Sequence, residues 1–388
     1  MMKAEAAQTV YFDYNATTPL DGGVFESMLP MFGKCYGNAS SVHRVGREAR
    51  VSIDDARDRI SRVLKCKPSE LVFTSGGTES NNFAVFGAAR KLKPKGNHLI
   101  TSAIEHHAVL SAISYLAEHE GFQVSILQCD AMGRIDPDDL ARSILPSTVL
   151  VSIQAANNEI GTVQDVAAMG RVCRERGVLF HTDAVQVFGK REMCGIGELE
   201  ADLVSVCGHK FHGPKGSGLL YVRSPFQPHS LLVGGAHENE RRAGTENGAS
   251  ILGLATAVER FVPSPVFNEA HLSPLLNRIR SGLGDLDPEL VQIHTPKDGS
   301  LVNTIAFTVA DSDSMTLMAN LDLLGICASS GSACAAGSLE PSHVIRALGC
   351  SDARAQALIR LSLGRESTVD ETEYVLRSLP EVIRRSRQ

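Results

Sequence analysis

Short apolar runs alternate with helical patterns between residues 71 and 222. Strands are predicted at Leu71–Thr74, His98–Thr101, Val124–Leu127, Val149–Gln154, Val178–Thr182 and Asp202–Val206. Helices are predicted between them at Ser80–Lys91, Ala108–His119, Asp138–Ile144 and Val166–Arg176. This alternation is typical of crossover units, so it predicts an α/β fold with a mostly parallel sheet and helices on both faces. In such sheets, ligands bind beyond the carboxyl ends of the strands.

The pattern changes after a predicted helix at Gly248–Phe261. Beyond it, Leu272–Leu283 and Met315–Leu324 are typical of helices and Val302–Val309 of a strand. We therefore predict a large domain at 1–260 and a smaller α+β domain at 261–388, with the first twenty or so residues able to pack against the smaller one. A chain of 388 residues exceeds one ordinary core.

Composition and charge disfavour several classes of protein. The net charge is −6 without a block of Lys or Arg, which argues against nucleic-acid binding. No apolar run approaches a membrane span, and the first ten residues lack the basic flank and apolar core of a signal peptide. Nine cysteines, scattered singly, predict no disulfide framework and a reducing cytoplasm as the location.

Lys210 lies in a glycine-bounded turn between two apolar strand-like runs, the second of which is Leu219–Val222. Such a turn would hold the lysine in place, and partial burial disfavours the ammonium form. A neutral amine can form a Schiff base with an aldehyde. For this residue alone, a solvated lysine in a basic loop is the alternative.

Two strand ends carry groups suited to a phosphate and to a ring nitrogen. Gly77 and Thr78 follow the strand Leu71–Thr74 and open a helix, whose first N–H groups attract an anion. Asp183 could keep a pyridinium nitrogen protonated, and Gln186 could donate to a phenolate oxygen of the same ring. Taken singly, each segment could equally be a plain helix cap.

Histidine and asparagine side chains stand at two further strand ends. His106 could stack on a flat cofactor ring and move protons near neutral pH, whereas His107 is more typical of a surface residue. Asn158 offers an amide donor at the same edge. A zinc site is disfavoured because no Cys/His quartet follows a usual zinc spacing. A phosphate cradle, a ring acid, a stacking ring and a Schiff-base lysine together predict pyridoxal 5′-phosphate (PLP) as the cofactor.

Cys334 lies among small, flexible residues in the segment Ser329–Ser338. Only a few per cent of a free thiol is thiolate at neutral pH, but that fraction is strongly nucleophilic. A mobile loop could carry this thiol into the active site and out again. The alternative is a loop cysteine without a role, which is our interpretation of the remaining cysteines apart from Cys207.

The order of these motifs resembles that of the cysteine desulfurases of the NifS/IscS type, which are PLP enzymes of the class V aminotransferase group. The resemblance runs from Tyr11–Thr18 nearly to the C-terminus. It includes Ser75–Asn82, Ala156–Gly161, His181–Gln186, His209–Gly218, Arg241–Asn247, Ser329–Cys334 and Ile359–Arg365. It implies the PLP-dependent transferase fold of type I, a homodimer, and conversion of L-cysteine to L-alanine with a persulfide left on Cys334.

The resemblance also implies a role for each candidate residue. Lys210 would bind PLP covalently and move the proton at the substrate Cα. Asp183 would pair with the pyridine nitrogen, and Arg360 and Asn38 would bind the substrate carboxylate. The further contacts to the ring and the phosphate would come from His106, Asn158, Gln186, Gly77, Thr78, Cys207, His209 and, from the neighbouring subunit, Thr245.

Two positions depart from the pattern of the family. Cys207 stands where many relatives have serine, so its phosphate contact would come from a weaker thiol donor or from backbone N–H. This cysteine favours the nitrogenase-type branch. Ala39 replaces a commoner proline, which removes some stiffness from its loop. The frame around Cys334 resembles the long-loop desulfurases, which pass sulfur to partner proteins.

Several functions remain open on the sequence. Transamination or selenocysteine cleavage could run on the same fold, although a transaminase has no use for a nucleophile such as Cys334. A metal or cluster carrier, or an inactive PLP-fold binding partner, is the alternative outside enzymes. The sulfur acceptor, an iron–sulfur scaffold or another protein, is not named by the sequence, so nitrogenase, housekeeping clusters and thiolated tRNA are all possible destinations.

Overall fold

The computed structural model describes residues 9–331 and 340–387; Cys334 lies outside them. The strands are β1 (Val10–Tyr11), β2 (Leu71–Thr74), β3 (His98–Ser102), β4 (Gln123–Leu127), β5 (Thr148–Ser152), β6 (Leu179–Asp183), β7 (Leu203–Cys207), β8 (Gly218–Val222), β9 (Val291–Ile293), β10 (Thr304–Val309), β11 (Ile326–Cys327) and β12 (Leu358–Ser362). The helices are α1 (Gly22–Met28), α2 (Pro30–Gly33), α3 (Arg44–Leu64), α4 (Gly77–Leu92), α5 (His107–Glu120), α6 (Pro137–Ser143), α7 (Val166–Glu175), α8 (Gly248–Phe261), α9 (Glu269–Gly284), α10 (Ser314–Asp322), α11 (His343–Ala347), α12 (Asp352–Gln356) and α13 (Val369–Ser386).

Strands β2 to β8 form one sheet in the order β2-β8-β7-β6-β5-β3-β4. The pairs from β4 across to β7 are parallel, and β8 alone runs against its neighbours β2 and β7. The predicted α/β fold with a mostly parallel sheet is therefore confirmed. The hairpin between β7 and β8 carries a short 3₁₀ turn, Gly208–Lys210, so Lys210 lies at the carboxyl end of β7.

Helices cover both faces of this sheet because successive side chains of each strand point to opposite faces. On β7, Leu203 belongs to the core cluster that includes Phe83 of α4, whereas Val204 belongs to the cluster that includes Ile60 of α3. Both clusters are fully or nearly fully buried. None of the helices in the described ranges has the length and apolar character needed to cross a membrane.

A second, smaller body of structure follows α8. Strand β10 pairs antiparallel with β9 and β12, and helices α9, α10 and α13 pack in the same core cluster. Phe12 and Tyr14 also belong to this cluster, and β1 pairs in parallel with β11. The segment that leads from β1 into the large sheet thus passes along this second core. The domain boundary near residue 260 stays a prediction.

Candidate active site

A cavity of about 170 Å³ lies at the carboxyl ends of the parallel strands. The sequence-predicted residues that line it are Gly77, Thr78, His106, Asn158, Asp183, Gln186, Cys207, His209, Lys210 and Arg360. Asn38 and Thr245 line a different cleft, so this chain by itself does not bring them to the cavity. The fold therefore gathers residues from many segments of the sequence at one edge of the sheet.

The Lys210 amine is held by two main-chain carbonyls in the segment that follows β1. Its Nζ donates to the main-chain carbonyls of Asn15 (2.7 Å) and Ala16 (2.8 Å). The neighbouring His209 places Nδ1 3.1 Å from the hydroxyl of Thr17. Burial, reinforced by the charge of Lys210, lowers the pKa of His209 to about 4, so its imidazole is neutral at physiological pH. The turn thus presents an amine and a neutral ring side by side.

Asp183 ends β6 with its carboxylate fixed in two places. Oδ2 accepts from the side-chain amide of Asn81 at 2.6 Å, and Oδ1 accepts from the N–H of Val185 at 2.9 Å. The side chain is buried in the cavity wall. Asn81 was not predicted from the sequence. The signal that could have found it is its spacing of three residues from Thr78, which puts both on one face of α4.

His106 caps the start of α5, where its Nδ1 accepts from the N–H of Ala108 at 3.0 Å. Because Nδ1 is the acceptor, the neutral ring carries its proton on Nε2. Directly behind it, Glu105 is fully buried. Burial raises the pKa of Glu105 to about 8 in spite of hydrogen bonds from Ser102 and from the N–H of Gln154. His107 points away and is exposed.

The start of α4 forms a narrow turn against the end of β7. Gly76 at the N-cap has a φ of 155° and, as a glycine, supplies no side-chain cap to the first N–H groups of the helix. A Cβ at Gly77 would lie 2.9 Å from Val185 and 3.5 Å from the Cβ of Cys207, which shows how closely the turn is packed. Burial raises the pKa of the Cys207 thiol although the N–H groups of Gly77 and His209 are directed at its sulfur, so the thiol stays neutral and acts at this turn as a weak acceptor.

Arg360 on β12 is 1% exposed and is clamped at two of its nitrogens. Nη2 donates to Oδ1 of Asp13 at 2.6 Å, and Nη1 donates to the carbonyl of Asn158 at 2.9 Å. Its Nε has no hydrogen-bond partner among residues 9–331 and 340–387. The guanidinium is thereby fixed at the cavity and keeps further N–H donors, that of Nε among them, for a ligand. Asp13, which orients it, was not among the sequence-predicted site residues.

The donor set of the cavity fits PLP. An amine is present for the aldehyde, a buried carboxylate for the ring nitrogen, and an imidazole for the face of the ring. The uncapped start of α4 suits the phosphate, because helix N-terminal N–H groups favour anions. A second cleft of about 360 Å³ adjoins the cavity and shares Gly77, Thr78, Cys207 and His209 with it. Through that cleft the phosphate end of PLP would reach the cavity.

The sequence profile of the family described as "Aminotransferase class-V" matches residues 10–375. Over 382 residues the chain is 41% identical to the cysteine desulfurase IscS of Dictyoglomus turgidum, covering 97% of this chain and 95% of the relative. This chain belongs to the cysteine desulfurases of the class V aminotransferase family. The desulfurases of this family depend on PLP, so the predicted family, enzyme class and cofactor are confirmed.

Solved structures agree with this assignment. One described as a NifS-like protein superimposes with a TM-score of 0.89 at 36% identity, covering 97% of the desulfurase and all (100%) of the other chain. A structure of SspA in complex with cysteine superimposes with a TM-score of 0.81 at 37% identity, covering 93% of the desulfurase and 100% of SspA. The predicted fold type is therefore confirmed.

Proposed function

We propose that this desulfurase converts L-cysteine to L-alanine, leaves the sulfur as a persulfide on Cys334, and supplies it for iron–sulfur cluster assembly. The observation that carries the proposal is the convergence of Lys210, Asp183 and His106 in one cavity beside the uncapped helix start at Gly77. When bound, PLP supplies an electron sink that weakens the bonds at the substrate Cα. The chain's own residues supply binding, orientation and proton transfer.

Lys210 is the residue that would hold the cofactor and then move the proton at Cα. Its Nζ is positioned by the carbonyls of Asn15 and Ala16, which belong to a segment far away in sequence. Asp183 would hold the ring nitrogen, since its carboxylate is already oriented by Asn81 and Val185. His106 would cover the ring, with its Nδ1 held by the N–H of Ala108 and its proton on Nε2.

Substrate would be bound at the other end of the cavity. Arg360 is a fixed guanidinium there, and its planar fork suits the two oxygens of an amino-acid carboxylate. Asn38 lines a different cleft, so within one subunit it does not share a cavity with Arg360. We therefore assign Asn38 to the substrate site only if a neighbouring subunit brings it there.

Cys334 is the proposed nucleophile. Its thiolate would attack the sulfur of the bound cysteine, so that an S–S bond forms as the C–S bond breaks. The electron pair of that bond stays with the substrate carbon, and a proton completes the methyl group of alanine. The persulfide would then pass to a scaffold for iron–sulfur clusters or to another sulfur-acceptor protein.

We propose a homodimer as the active form. Apolar side chains are exposed together around α1 and α2, where Phe32 is 68% and Tyr36 is 71% accessible. Exposed apolar patches of this kind mark contact surfaces. Thr245 and Asn38 line the neighbouring cleft of about 920 Å³ and would reach the site of the other subunit. The cysteines of the described ranges are all free, which supports a reducing cytoplasm as the location.

The decisive experiment measures sulfide and alanine formed from L-cysteine by wild type, Cys334→Ala and Lys210→Ala. We expect Cys334→Ala to retain the cofactor absorbance and lose sulfide release, because cofactor and nucleophile are separate groups. We expect Lys210→Ala to lose covalent attachment, so that borohydride no longer fixes the cofactor to the protein. Both assays use purified protein saturated with PLP.

Cys350→Ala is the matched control, because Cys350 is a partly buried thiol outside the cavity. It should release sulfide at the wild-type rate. Sulfide release that survives in Cys334→Ala would rule out the persulfide route. If the wild-type protein transaminates cysteine and releases no sulfide, the result would instead support transamination, the alternative class V reaction.

A further inference from the structure

A second lysine lies buried beside the cavity. Lys190 is 3% exposed, and its Nζ lies 5.0 Å from the centre of the Phe267 ring. Burial, together with the charges of Lys210 and Arg360, holds its pKa well below the usual range. A buried amine is costly unless its donors are used, and an apolar side chain of similar volume would fill the space at lower cost. Its presence therefore calls for a function.

Both partners of Lys190 are side-chain amide oxygens. Its Nζ lies 2.5 Å from Oδ1 of Asn15 and 2.6 Å from Oε1 of Gln186. An amine donates at least two hydrogen bonds in either protonation state, so neither contact depends on which state is populated. In the arrangement that the structure shows, the lysine donates to both amides, and each amide turns its oxygen towards it. Lys190 thus selects one of the two orientations that an amide side chain can adopt.

For Gln186, the orientation of the amide decides which of its two polar groups faces the cavity. With Oε1 bound to Lys190, the amide nitrogen is turned away and donates to the carbonyl of Asn15 at 3.1 Å. Gln186 also lines the cavity, and the group left to face a ligand there is the N–H₂. That is the donor required by an anionic ring oxygen. If the Gln186 amide were reversed, its Oε1 would face the anionic ring oxygen, and the two would repel each other.

Asn15 extends the same network to Lys210. Its amide oxygen accepts from Lys190 and from Nδ2 of Asn303 (3.0 Å). Its amide nitrogen donates to Thr304 (2.8 Å) and to the carbonyl of Asn158 (3.2 Å). Its main-chain carbonyl accepts from both Lys210 and Gln186. Lys190 therefore contacts Gln186, which is the proposed donor to the ring oxygen, and Asn15, which accepts from the cofactor-holding Lys210. Lys190 does not itself line the cavity.

We propose that Lys190 is a positioning residue of the cofactor site, which directs the amide N–H₂ of Gln186 into the cavity and holds the Asn15 carbonyl against Lys210. This assignment rests on the proposed function, because it takes the cavity to be the PLP site.

The test compares wild type with Lys190→Met, which keeps the volume and removes the donors. Apoenzyme is titrated with PLP, and the dissociation constant and the visible absorbance maximum are recorded. We expect affinity to fall about tenfold and the maximum to shift, because Gln186 can then turn its oxygen towards the ring. Apoenzyme melting should be unchanged or raised, since a costly buried amine has been removed. Lys91→Met, at an exposed lysine of α4, is the control and should match wild type.

A double-mutant cycle separates this role from a general structural one. In a Gln186→Leu background, Lys190→Met should cost less than about twofold in PLP affinity, because the residue through which it acts is gone. An equal loss in both backgrounds would overturn the proposal, as would wild-type affinity and absorbance in Lys190→Met. If Lys190→Met does not fold, Lys190→Gln replaces it, and wild-type binding and absorbance in that variant would likewise overturn the proposal. Failure of wild-type apoenzyme to bind PLP would instead contradict the proposed function.

Discussion

At the scale of single residues, Glu105 shows how a side chain outside the cavity makes the protein sensitive to pH. It lies directly behind His106, is fully buried, and has one carboxyl oxygen, Oε2, without a hydrogen-bond partner among the described residues. Its pKa is raised to about 8, chiefly by burial, so the folded protein favours the protonated acid. An unfolded chain would ionise the same group several pH units lower.

Glu105→Gln should therefore reduce the amount by which the free energy of unfolding falls as the pH rises above 7. A folded-state pKa raised from 4.5 to about 8 contributes stability that is complete below pH 4.5 and is lost as pH rises through 8. Between about pH 7 and about pH 8.5 the wild type should lose about 1 kcal/mol from this group, and the variant should not. Melting curves at several pH values measure the difference, with Glu192→Gln, at an exposed position, as the control.

The buried histidines do not obscure the contribution of Glu105 to the pH dependence of stability. His181 and His209 have pKa values lowered to about 3 and about 4, so their contribution to stability rises with pH and is almost complete by pH 7. Equal slopes for wild type and Glu105→Gln above pH 7 would show that the buried carboxyl is already ionised there.

Single residues also mark where sequence reasoning succeeded and where it stopped. Lys210 and Asp183 could be found because each follows a predicted strand within a recognisable local motif. Lys190 and Asn15 could not, because their contact joins positions 175 residues apart and neither has a local signal. Cys334 was predicted from its loop composition, lies outside the described residues, and its role stays a proposal.

At the scale of elements, the turn from β2 into α4 is the most constrained part of the site. Gly76 takes a φ of 155°, which L side chains rarely adopt, and Gly77 packs against Val185 and Cys207. Both glycines are therefore required by the backbone and by close packing, independently of any contact with phosphate.

Gly77→Ala should weaken PLP binding by about tenfold or more. The new Cβ would lie 2.9 Å from Val185, so the start of α4 must shift. Its N–H groups would then be displaced from the edge of the cavity where the phosphate binds. Titration of the apoenzyme with PLP measures the effect. Gly22→Ala is the matched control, since a Cβ there meets nothing within 4 Å. Unchanged affinity in Gly77→Ala would mean that this turn does not bind the phosphate.

Elements differ in how well the sequence predicts them. The buried strands of the large sheet were found because their apolar runs are long enough to stand out from the intervening helices. β11 has only two residues and β9 only three, and a run of that length carries no periodic signal. The reversed direction of β8 was also invisible, because apolar composition does not encode strand direction.

At the scale of the whole molecule, the position of Thr245 in a different cleft from the cavity leads to a test of the proposed dimer. Thr245→Asp would place a negative charge near the phosphate of the neighbouring subunit, whereas Lys210→Ala disables a subunit's own site. Each homodimer should be inactive. In the purified heterodimer both defects fall in one site, so the other is intact and about half of the wild-type activity should return.

Co-expression of the two variants with different affinity tags isolates the heterodimer for a sulfide assay. A heterodimer as inactive as both parents would show that Thr245 acts within its own subunit. The reference is the heterodimer of wild type with Lys210→Ala, which should also retain about half of the activity.

The pairing of β1 with β11 has a consequence for synthesis of the protein. Val10 lies beside Ile326, and the carbonyls that hold Lys210, those of Asn15 and Ala16, come a few residues after β1. During synthesis, Val10 and Tyr11 therefore have no strand partner until residues 326 and 327 have been made. The hairpin that carries Lys210 can form much earlier from local contacts. In a nascent chain, Lys210 is thus made before pairing with β11 can fix β1 and the segment that positions the lysine, so we expect the cofactor to be bound only after β11 has been made.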